Sequence, residues 1–103
     1  MDKVYPCPLD ESVSVIEMPF GPEALTLAFI VMADGVDRAG VIVLDSEIYN
    51  KAWFTNAHKI AIFAHELGHL AMGESEHAAD EWAIQKLGDL GEREARQLLL
   101  DRL

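Results

Sequence analysis

Residues 65 to 69 read His65-Glu66-Leu67-Gly68-His69, and Glu76 follows seven positions later, opening the run Glu76-His77-Ala78-Ala79-Asp80. Two histidines four apart on a helix project from one side about a turn apart, so both imidazoles can reach a single metal ion at roughly 2.0 to 2.1 Å. A glutamate between them flanks that ion and is placed to take a proton from water. The chemistry implied is zinc-assisted hydrolysis of a peptide bond. A His-Glu-x-x-His window arises by chance often enough that other residues must support it.

A catalytic zinc usually takes three protein ligands and keeps a fourth position open. His65 and His69 supply two. A carboxylate at the start of the next helix can fold back over the first after the short turn Gly73-Glu74-Ser75, which makes Glu76 the chosen third ligand, with Glu74 and His77 as competitors. Asp80, four residues after Glu76, falls on the same helix face and can accept the free N–H of a ligating histidine. Glu66 is the general base: it accepts a proton from water, the resulting hydroxide attacks a peptide carbonyl, and Glu66 passes the proton to the leaving amine. The tetrahedral oxyanion needs a further donor, for which His58, His77 and Tyr49 are the nameable candidates. His58 also reads as a surface residue near a helix start.

These residues need elements to hold them. The first half of the chain reads as strands, over 12–18, 25–32 and 40–44, with Asp34-Gly35 as a turn signal between the second and third. The second half reads as helices over 56–72, 76–87 and 92–103. Thr55 or Asn56 can cap the first helix and Gly73 can end it; Ser75 can cap the second, and Gly88 and Gly91 bracket the turn into the third. On a wheel at 100° per residue, Ile60, Phe63, Ala64, Leu67, Leu70 and Ala71 share an arc of about 120°. His58, His65 and His69 fall within about 40° of one another on the opposite side, away from the main apolar packing, with Glu66 on the flank. Gly68 leaves room for another backbone to pass close to this helix. The expected fold is α+β, a single domain over residues 1–103 with a small sheet of about three strands followed by the metal helix, the glutamate helix and a terminal helix.

Eight basic against eighteen acidic side chains give a formal charge of −10, which opposes binding to phosphate backbones and anionic membranes. The expected partner is a peptide or protein substrate, with no nucleic acid and no membrane; oligomeric state is left open. The amino-terminal stretch lacks a basic region followed by an apolar run, and 24–33 is too short to span a bilayer as a helix, so a soluble, intracellular, cytoplasmic protein is expected. The single cysteine, Cys7, excludes an intramolecular disulfide.

The string His65-Glu66-Leu67-Gly68-His69 followed by Glu76-His77-Ala78-Ala79-Asp80-Glu81-Trp82-Ala83 resembles the gluzincin metallopeptidases, and most of all the minigluzincins and the ImmA/IrrE-type and HtpX-like peptidase domains. The resemblance implies a zincin-like fold and one zinc ion. It places zinc ligation on His65, His69 and Glu76, the general base on Glu66 and histidine support on Asp80. It covers residues 60–83, and the stretch 40–45 resembles the strand that commonly precedes the metal helix. The six-residue spacer 70–75 is short for such families, and no helix-turn-helix or oxyanion residue is recognisable. Minigluzincins resemble latent peptidases, and Cys7, between Pro6 and Pro8, is the candidate latency ligand for the open position. The alternative function is a latent or non-catalytic zinc-binding domain that acts by binding a protein partner. A substrate would add as a strand to a sheet edge.

Overall fold

The computed structural model describes residues 2–24, 26–33 and 39–102, and the chain is α+β. The Asp34-Gly35 turn, Leu25 and Leu103 lie outside the described residues. Two compact units divide it, Met1–Phe54 and Thr55–Leu103.

The first unit is a mixed sheet of four strands, β1 (Lys3–Cys7), β2 (Asp10–Met18), β3 (Ala28–Ala33) and β4 (Ala39–Asp45), in the order β1-β2-β4-β3. The expectation of three strands is corrected by β1. Proline cannot donate to a ladder and is confined to edges and bulges; β1 is an edge strand, Pro6 pairs with Ser14, and the register breaks between Pro6 and Cys7. β1 runs antiparallel to β2, β2 parallel to β4, and β3 antiparallel to β4. Alternation puts Val13, Val15 and Glu17 of β2 on one buried face beside Ile42 and Leu44 of β4. Val43, on the other face of β4, is buried as well, so this central strand reads as a continuous apolar run. Asp45 closes it: its carboxylate accepts from the backbone N–H of Phe20 at 3.2 Å and of Glu47 at 3.0 Å, capping a 3-10 turn, Ser46–Asn50, that the sequence pattern does not announce.

The second unit is three helices, α1 (Asn56–Met72), α2 (Glu76–Leu90) and α3 (Arg93–Leu100). Thr55 caps α1 by accepting from the His58 backbone N–H, while the Thr55 N–H donates back to the His58 ring, a capping box with histidine in the place of the usual glutamate. Gly73, at φ 89°, ends α1, and the Ser75 hydroxyl accepts from Ala78 to start α2. α2 outruns the expected stop at Leu87: it continues through Gly88, over which the Arg96 side chain lies, and ends at Gly91, whose φ of 74° is the left-handed cap conformation. α3 begins at Arg93, with Glu92 as an N-cap that makes no side-chain bond. No helix among the described residues is long and apolar enough to cross a membrane.

α1 is buried on more than its apolar arc. His65, Glu66 and Gly68 are buried, whereas Leu70 and Ala71 are only half-buried, so the histidine side faces packing and not open solvent. The partner on that side is α2. A Cβ built on Gly68 would lie 2.4 Å from the Ala79 carbonyl oxygen and 2.9 Å from its Cα, so only glycine permits this approach. Gly68→Ala is therefore expected to destabilise the protein by about 2 kcal/mol even though alanine is the better helix former, because backbone must move; a fall in the urea midpoint checks this, and a rise would refute the close contact.

Candidate metal centre

His65 and His69 stand on successive turns of α1 with rings edge to face, centroids 4.7 Å apart. Each ring is oriented by a different kind of acceptor. The Nδ1 of His65 lies 2.6 Å from Asp80 Oδ1, and the Nδ1 of His69 lies 2.8 Å from the carbonyl oxygen of Gly73. An acceptor with no proton of its own requires a donor opposite it, so in the neutral imidazoles both Nδ1 atoms carry the hydrogen and both Nε2 atoms present lone pairs.

Those lone pairs converge. The two Nε2 atoms are 3.1 Å apart, and the Glu76 carboxylate straddles them, Oε2 at 2.9 Å from His65 Nε2 and Oε1 at 3.1 Å from His69 Nε2. Ligands at zinc distances and tetrahedral angles are separated by about 3.3 Å, close to what is seen here. In neutral rings with both Nδ1 atoms committed to acceptors, no proton bridges these atoms, and a cation between them would turn a mutual repulsion into ligation. Of the three candidates for the third ligand, the structure brings Glu76 to the histidines: His65, His69 and Glu76 are the group able to hold a metal ion among the described residues. The histidine side chains are about 10% exposed and that of Glu76 is 71% exposed, so the cluster opens to solvent on its carboxylate side.

Glu66 is buried at 7% exposure. Burial pushes its carboxyl above the usual range; the neighbouring His65 and His69 pull it down, and Glu76 pushes it up again. Burial lets this carboxyl hold a proton more readily than an exposed glutamate does, which suits a group that must accept a proton and return it.

The other named residues fall elsewhere. His58 is held at the start of α1 by Thr55, whose Oγ1 is 2.7 Å from its Nδ1. His77 pairs with Glu81 at 2.7 Å on the exposed side of α2. Tyr49 lies in the sheet unit, its hydroxyl donating to Glu17 Oε2 at 2.8 Å, and Tyr5 donates to the same oxygen. Burial first, then the bond to Glu17, drives the Tyr5 phenol far above its ordinary range. Cys7 is also in the sheet unit, a buried free thiol pushed up by desolvation, which favours the uncharged form over a ligating thiolate. Two participants were not singled out from the sequence. The Gly73 carbonyl had a signal, since the glycine that ends a helix four residues after a histidine offers its carbonyl to that ring. Arg102, whose Nη2 lies 3.4 Å from Asp80 Oδ2, had none.

On the expectation that the cluster binds zinc, the ion added at a hundredfold excess over its dissociation constant should stabilise the folded state by about 2.7 kcal/mol, a rise of roughly 10 °C or more in Tm. His69→Ala is expected to abolish that rise; a rise of equal size in the variant would remove the cluster as its source. No family model, curated protein or solved structure matches this chain.

Proposed function

We propose that the chain is a zinc-dependent peptidase of gluzincin type with a zincin-like arrangement, an endopeptidase in which His65, His69 and Glu76 hold one zinc ion. The observation that carries this reading is the convergence of two Nε2 lone pairs and one carboxylate at about 3 Å, beside a buried glutamate. When bound, zinc supplies Lewis acidity that polarises a carbonyl and acidifies water. The chain's own residues do the rest. Asp80 and the Gly73 carbonyl hold the two rings in the tautomer that leaves Nε2 free. Glu66, buried beside the two imidazoles, accepts the proton from water and delivers it to the amine nitrogen as the peptide bond breaks.

A second reading, a latent or non-catalytic zinc domain that binds a protein partner, is favoured by one observation: His58, His77 and Tyr49 are each engaged with another side chain and so do not stand ready as oxyanion donors. Zinc stoichiometry and peptide cleavage of the purified protein separate the two. Under the peptidase reading the protein carries one zinc and cleaves an unstructured peptide, and Glu66→Gln keeps the zinc while losing at least about a hundredfold in kcat/KM. Equal cleavage by both proteins refutes Glu66 as the base; stoichiometric zinc with no cleavage by either selects the second reading.

A further inference from the structure

We propose that Arg102 is a positioning residue for the metal centre, acting through Asp80; the proposal rests on zinc binding by His65, His69 and Glu76. Asp80 is buried, and its two oxygens are used in opposite directions, Oδ1 at 2.6 Å from His65 Nδ1 and Oδ2 at 3.4 Å from Arg102 Nη2. Among the described residues Arg102 is the one side chain on Oδ2. A carboxylate gripped at one oxygen can pivot about its own bond, whereas one gripped at both presents a fixed lone pair. That fixed lone pair sets the His65 ring plane, and the ring plane sets where Nε2 points.

The arginine arrives there through the end of α3. Leu99 and Ala95 anchor that helix in the core. Beyond Leu100 the chain makes a closing turn, with the Asp101 N–H donating to the Gln97 carbonyl at 2.9 Å and the Arg102 N–H to the Leu99 carbonyl at 3.2 Å. The Asp101 carboxylate is tied back to the Gln97 amide at 2.7 Å. The turn therefore carries a guanidinium to the outer oxygen of a carboxylate that lies 22 positions earlier in the chain. In a chain of formal charge −10 with eight basic residues, one of them lies on the carboxylate that supports a metal-ligand candidate. The Arg102 side chain is 56% exposed, so solvent screens the pair and its effect on the metal is smaller than that of Asp80 itself.

The test is zinc affinity, measured by competition with a chromophoric chelator, for the wild type, Arg102→Met, Arg102→Lys, Asp80→Asn and the Asp80→Asn/Arg102→Met double variant, with the Tm of each metal-free protein alongside. Asp80→Asn is expected to weaken zinc about 10- to 100-fold. Arg102→Met is expected to weaken it roughly 3- to 10-fold with little change in metal-free Tm, Arg102→Lys to recover part of the loss, and the double variant to bind no more weakly than Asp80→Asn. Unchanged affinity in Arg102→Met, or losses that simply add in the double variant, would overturn the role of Arg102 while leaving the zinc site standing. Absence of zinc binding by the wild type would instead remove the metal reading and this proposal together.

Discussion

The distance at which α1 passes α2 is set by Gly68 against the Ala79 backbone, and every separation between the histidines of α1 and the carboxylates of α2 depends on it. Asp80 is the next residue after Ala79, so the closest contact of the helix pair delivers the carboxylate that meets His65. Glu76 stands three residues before Ala79, nearly one turn away, and so falls on the same side of α2. Spreading the helices by even a methyl group would lengthen the Asp80 to His65 bond and separate Glu76 from both imidazoles at once. A hydrogen bond at 2.6 Å weakens steeply over an added ångström, and ligand atoms that lie 3.1 Å apart would no longer fit around one ion. Packing and chemistry are here the same constraint.

The polar interior of the helical unit is arranged around that contact. Burying Glu66 disfavours its charge, and positive charge at the imidazole sites beside it would offset part of the cost. Asp80 is buried as well, and both of its oxygens find partners. One histidine is steered by a side chain from another helix and the other by the backbone of its own helix terminus. The first depends on tertiary packing and the second on local structure, so the two rings respond differently to loosening of the fold.

Elements whose signals are local were legible in the sequence. The limits of α1 follow from the Thr55 cap and from Gly73, and β2 and β4 from their alternation and apolar runs. β1 was hidden because Pro6 and Pro8 argue against a strand unless its place at a sheet edge is known, and edge position is a property of the whole sheet. The extension of α2 through Gly88 was hidden because a glycine costs a helix about 1 kcal/mol on its own account, a cost that packing can override. The apolar wheel of α1 missed its second packed side because that side is made by Gly68 and by polar residues, which carry no hydrophobic signal. The spacing of His65 with His69 and of Glu76 with Asp80 was readable from helix geometry, while the choice of Glu76 over Glu74 and His77 depended on how the turn brings α2 against α1. Arg102 was not, because nothing in its neighbourhood records where the end of α3 will lie.

The ligand group spans only the twelve positions from His65 to Glu76, all within one pair of adjacent helices. Closing so short a segment costs little chain entropy, and contacts between neighbouring helices form early in folding compared with a parallel pairing such as that of β2 with β4, whose partners lie 27 positions apart at Ser14 and Val41. The ligand group is thus assembled by contacts within one helical hairpin, and the long-range parallel pairing of the sheet is not needed to bring its members together.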